Sequence, residues 1–171
     1  MGKMKIRKTV CVLLAALAVC CSFAACGGND DGGSSDKSTA AVQQDSVKDA
    51  GAVADEIKNA VEFEDDLVEF DSAKIAKILG IEESSYKKAK VYASSSGATP
   101  EEIACFDAAD KDSASAIKSA LDSRLENQKK TFTDYKPEQK PKLDSAVVKV
   151  KGESVYYIVS GDSAKAEEII G

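Results

Sequence analysis

Arg124, Gln128 and Tyr135 are the residues whose types and spacing best fit a binding chemistry. A helix turns about 100° per residue, which places all three within about 20° of Ile117. They fall inside the apolar stripe of Ala114, Ile117, Ala120, Leu121, Leu125 and Phe132. The charged face, with Lys118, Asp122, Glu126 and Lys129, lies opposite. A guanidinium turned toward a core needs an acceptor, because burying it unpaired is prohibitive. Two readings follow. In one, Arg124 is a structural anchor on a group from the sheet or from the 135–143 connection. In the other, Arg124, Gln128 and Tyr135 form one wall of a pocket for an anionic or carboxylate ligand.

Catalytic constellations find little material. The chain has no histidine, which removes Ser-His-Asp triads, Cys-His pairs and histidine-metal sites. No phosphate-loop or dinucleotide glycine pattern occurs. Ser94-Ser95-Ser96 with Lys88 or Lys90 as base is conceivable chemistry, but serines in a turn more often bond their own backbone. Asp30-Asp31 and Glu64-Asp65-Asp66 lack calcium-loop spacing and read as solvated acidic surface. Cys105, in a strand-like context, reads as a small buried hydrophobe. The expectation is a chain that is not an enzyme, with no catalytic residue, no metal site and no cofactor.

Cys26 carries a different chemistry. Lys3, Lys5, Arg7 and Lys8 precede an apolar run from Val10 to about Cys21, and Phe23-Ala24-Ala25 leads into the cysteine. The run is shorter than the roughly 20 residues of a spanning helix and has the layout of a secretory signal. The segment resembles a bacterial lipobox, with Phe23 where that pattern prefers Leu. Cys20 and Cys21 are the other cleavage candidates. The resemblance implies diacylglycerol on Cys26, and so a membrane partner through a lipid anchor on the extracytoplasmic face of the cell membrane. Two acyl chains give firm attachment where one gives marginal binding.

Residues 1–25 are then the signal, and residues 26–45 the lipidated cysteine and a polar tether. Residues 27–45 should span about 24 Å as a flexible chain. Loss of the signal leaves 19 basic against 29 acidic residues, a net charge of −10. That charge disfavours nucleic acid as a partner. Cys105 is the one cysteine left after the signal and Cys26, so no intrachain disulfide forms in that product.

Residues 46–171 should form a single α+β domain. A helix is expected over Ser46 to Val61, capped by Ser46 and weakened by Gly51. Asp71 or Ser72 caps a two-turn helix stopped by Gly80. Lys88 to Ser94 reads as a strand with Ala89, Val91 and Ala93 on one face. Residues 101–108 read either as a helix opened by Thr99-Pro100-Glu101-Glu102 or as a strand alternating Glu102/Ala104/Phe106 against Ile103/Cys105, paired back on 88–94. Asp112 or Ser113 should cap a long helix to Asp134, Pro137 should end it, and Pro141 should keep the connection extended. Ser145 to Val150 and Ser154 to Val159 form a hairpin around Gly152, and Ser163 to Ile170 a closing helix. Two hairpins in an antiparallel-rich sheet, with the long helix and shorter helices packed on one face, make a two-layer domain.

Several of these segments carry a family resemblance. Ser95-Ser96-Gly97-Ala98-Thr99-Pro100-Glu101-Glu102-Ile103-Ala104, Arg124-Leu125-Glu126-Asn127-Gln128, Phe132-Thr133-Asp134-Tyr135-Lys136-Pro137-Glu138 and Val150-Lys151-Gly152 are similar to domain-of-unknown-function family 4358. That likeness covers about residues 50–170 and implies a bacterial lipoprotein-type protein, the strand reading of 101–108, and no catalytic residues. The expected function is a membrane-anchored, non-catalytic binding or accessory module of the cell envelope, with an envelope protein or peptide as partner. A structural component of an envelope complex and a hydrolase without a recognisable motif are the alternatives.

Overall fold

Alternation along the strands decides the architecture. In the computed structural model, which describes residues 48–171, all seven residues of β3 (Glu102–Ala108) but Asp107 are buried, as are all six of β5 (Ser154–Val159). A strand without an exposed face must be covered on both sides. Ala104, Phe106, Val155 and Tyr157 join one core, while Ile103, Cys105, Tyr156 and Ile158 join another. The expectations on the signal, on Cys26, on the tether and on Ser46 lie outside the described residues.

The sheet is five-stranded and antiparallel, in the order β1-β2-β3-β5-β4. β2 (Tyr86–Ser94) and β3 form the first hairpin, and β4 (Val147–Lys151) and β5 the second. The second turns at Gly152, whose φ of +65° suits a residue without a Cβ. β1 (Leu67–Glu69) adds an edge strand on β2, where the sequence reading placed no strand.

The α+β class, the hairpins and the long helix on the sheet agree with the sequence. Helices cover both faces, however, so one sheet lies between two helical layers. α2 (Ser72–Leu79) and α3 (Lys111–Tyr135) pack on the face of Ala104 and Phe106. α1 (Ala50–Ala60) and α5 (Ser163–Ile170) pack on the face of Ile103 and Cys105. Cys105 is fully buried there, and burial pushes its thiol pKa up.

The helix starts refine the expected caps. Asp49 caps α1, accepting from the Ala52 N–H at 3.0 Å. Asp107 of β3 reaches the same end, accepting from the Ala50 N–H at 3.0 Å. A Cβ on Gly51 would meet Asp49 Oδ1, the capping oxygen, at 3.1 Å. Asp71 caps α2 and Gly80 closes it at φ +68°. Asp110, not Asp112 or Ser113, caps α3 by accepting from the Ser113 N–H at 2.7 Å. The helix starts as soon as β3 ends, so the first available carboxylate takes the role.

The 137–145 connection is helical where an extended run was expected. A 3₁₀ turn at Pro137–Gln139 leads into α4 (Lys140–Asp144). Both prolines sit in opening turns, where the missing N–H has no intrahelical partner to lose. Leu143, fully buried, pins α4 to the α3 core.

Candidate functional site

The loop from β2 to β3 ends on two consecutive glutamates, each 1% exposed. Strand alternation sends them to opposite faces. Glu101 is saturated. Its carboxylate accepts from the backbone N–H of Glu64 at 3.0 Å and of Asp65 at 3.2 Å, from Thr99 Oγ1 at 3.1 Å, and from Lys142 Nζ at 2.8 Å. Lys142 comes from α4, so the unexpected helix supplies the counter-charge.

Glu102 faces α3. Arg124 donates to its Oε2 from Nε at 3.1 Å and from Nη2 at 2.8 Å, and Gln128 Nε2 donates to the same atom at 3.1 Å. Behind Gln128, Tyr157 donates its hydroxyl to Oε1 of the amide at 2.7 Å. Glu102 Oε1 is buried and has no hydrogen-bond partner among the described residues. Burial raises the Glu102 pKa, against the opposing pull of Arg124 and Gln128. Burial likewise raises that of Tyr157.

Glu102, Arg124 and Gln128 line a cavity of about 280 Å³ beneath the β2–β3 loop. Phe70, Ile78 and Phe132 give it apolar walls, and Asn127 and Thr99 contribute polar groups. A wider cleft of about 560 Å³ opens beside Glu101, with Glu62, Phe63, Glu64, Lys142 and Asp162 around it.

Arg124 and Gln128 are therefore brought together, and the acceptor that Arg124 requires comes from the sheet. Tyr135 is not with them. It is 61% exposed, outside the cavity lining, and meets the Phe132 ring edge-on at 6.1 Å. The wheel angle is right, but Thr133, Asp134 and Tyr135 are all exposed, so the last turn has passed the surface on which the stripe packs. Glu102 was missed as a site residue. The alternation that groups it with Ala104 and Phe106 was the signal for it.

The serine turn is organised by a carboxylate. Ser94 and Ser96 donate their hydroxyls to Asp65 Oδ2, and the Ser96 N–H donates to it at 3.0 Å. These bonds hold the Asp65 pKa far below the usual carboxylate range. Lys88 pairs with Asp49 at 3.3 Å and Lys90 with Asp55 at 3.0 Å, so neither serves the serines. The Glu64-Asp65-Asp66 run is thus more than solvated surface. Glu64 also accepts from Lys142 at 2.8 Å and from Gln139 at 2.9 Å. Among the described residues, no group of three or more His, Cys, Asp or Glu is placed to hold a metal, and no helix is long and apolar enough to cross a membrane.

A comparison with protein families matches residues 59–160 to the family described as Domain of unknown function (DUF4358). That span contains both glutamates, Arg124, Gln128 and Tyr157. No curated protein and no solved structure matches.

Proposed function

The chain belongs to the DUF4358 family, and from that premise we propose a membrane-anchored extracytoplasmic lipoprotein whose domain binds an envelope partner without catalysis. The carrying observation is the cavity over Glu102. It has apolar walls and a few convergent polar groups, the usual make-up of a binding site. Its floor is cross-braced by Arg124, Gln128 and Tyr157, a rigid arrangement suited to recognition. The non-catalytic reading is supported by the serine turn. Asp65 is held far below the usual carboxylate range, which makes it a poor proton acceptor near neutral pH.

The anchor rests on the sequence from Lys3 to Cys26 and on the polar tether after it. Intact-mass analysis of the membrane fraction tests it. The expected species begins at Cys26 and carries acyl mass; a retained 1–25 segment or an unmodified Cys26 contradicts it. Crosslinking and pull-down from membranes test the binding role. A partner lost on filling the cavity supports it, whereas turnover of peptidoglycan, ester or phosphate substrates by the purified protein contradicts it.

A further inference from the structure

The sheet has two ends, and the chain enters the domain at one of them. Asp49, which caps α1, pairs with Lys88 of β2 at 3.3 Å. The next residue, Ala50, donates its N–H to Asp107 of β3 at 3.0 Å. Lys88 and Asp107 are register partners, and Asp107 also faces Ser154 beside the Gly152 turn. The entry point therefore sits where β2 starts, β3 ends and the second hairpin turns.

Both cavities lie at the other end. Ala93 pairs with Glu102, and Glu102 with Val159. Ala93, Ser94 and Glu102 line the smaller cavity, and Glu101, Gly161 and Asp162 the wider cleft. The strand from Asp107 back to Glu102 rises about 17 Å. α1 gives the same length independently. Its 11 residues rise about 16 Å from the entry point to Ala60, which lines the wider cleft. The charges of the two ends differ as well. Glu62, Glu64 and Asp162 are exposed around the cleft, while Lys142 in its lining is already shared between Glu64 and Glu101. At the entry end Lys87 pairs with Glu153 at 2.6 Å, as Lys88 does with Asp49. An anionic lipid surface repels the cavity end more than the entry end.

Resting on the anchor reading above, we propose that the lipid on Cys26 holds the entry end of the sheet toward the bilayer and turns both cavities away from it. A tether lets the domain tilt, so the bias is a time average. The cavities then open to the aqueous side, where acyl chains and membrane-embedded helices do not reach. The partner is an envelope protein or peptide that stands clear of the bilayer. The tether span of about 24 Å adds to the length of the sheet, so the cavity end works about 40 Å from the lipid surface.

Energy transfer to the lipid surface measures the orientation. The full-length protein, purified from membranes, is reconstituted into vesicles containing phosphatidylglycerol, with an acceptor dye on the lipid headgroups. A donor dye is attached by maleimide to Glu153→Cys, at the entry end, or to Asp66→Cys, whose carbonyl accepts from the Ser95 N–H at the cavity end. Both positions are exposed, and Cys105 is fully buried and stays unlabelled. At low salt, transfer from Glu153→Cys should exceed that from Asp66→Cys about twofold or more, because the second label stands roughly 25 Å farther along the sheet. Equal transfer, or greater transfer from Asp66→Cys, in protein that floats with the vesicles would overturn the orientation and leave the anchor standing. Protein that does not float with the vesicles would overturn both.

Discussion

Glu101 and Glu102 are neighbours in sequence, equally buried, and opposite in design. Glu101 is filled: two backbone N–H groups, a threonine hydroxyl and an ammonium occupy both oxygens. It ties the 64–65 segment and α4 to the start of β3. Glu102 is half filled: three donors converge on Oε2 while Oε1 has none. A buried carboxylate used purely as a clamp satisfies every lone pair it can. Glu102 lines a cavity and keeps one buried oxygen unpaired among the described residues. The two faces of one strand end therefore carry one fully paired carboxylate and one half-paired carboxylate.

Removing Glu101 should do the most damage. Glu101→Ala leaves two backbone donors unpaired and takes from the largely buried Lys142 ammonium one of its two carboxylates, Glu64 remaining, so the expected loss is about 3–5 kcal/mol, read by urea unfolding. A loss no larger than that of a surface pair would erase the contrast. Arg124→Ala comes next, at about 3 kcal/mol, because Glu102 can take up a proton and escape part of the penalty. Arg124→Lys should recover only part of that, since an ammonium lacks the planar fork. Equal midpoints for wild type and Arg124→Ala would mean that the pair anchors nothing. Tyr157→Phe removes one donor from buried Gln128 and should cost about 1–2 kcal/mol, with the fold intact by circular dichroism.

The smallest effects are slopes with pH, and their signs oppose. Burial raises the folded-state pKa of Glu102 above its ordinary 4.5. The native state then binds the proton more readily, so this group's contribution to stability falls as pH climbs from about 4.5 through the raised value. Lys142 and then Gln139 hold Glu64 below its ordinary 4.5. Its contribution is present above that value and is lost as pH falls through the depressed one. Thermal melts across this window should show Glu102→Gln gaining on wild type as pH rises and Glu64→Gln falling behind. Slopes of the same sign would break the comparison.

Much of this was legible in the residues, and the failures have physical causes. The wheel placed Arg124 and Gln128 toward the core, and alternation placed Glu102 beside Ala104 and Phe106. Their meeting was not legible, because it depends on how α3 lies across β3, a nonlocal matter. Tyr135 failed since an angle says nothing about where a helix outruns its support. The second helical layer had a signal in Val155-Tyr156-Tyr157-Ile158-Val159, an unbroken apolar run that alternation alone would not produce. The α4 turn was hidden because proline disfavours helix in the residue before it yet is accommodated in a first turn, where Lys140 and Pro141 stand. Asp110 lost to Asp112 and Ser113 in the reading because three candidate caps stand within four residues and only the end of β3 chooses among them.

The most direct test is the titration of the Glu102 side-chain carboxyl, followed by carbon-13 NMR. The expected midpoint lies above the ordinary 4.5, the mark of a carboxylate whose burial is incompletely compensated. A midpoint at or below 4.5 would contradict it, marking a carboxylate whose burial is fully offset by Arg124 and Gln128.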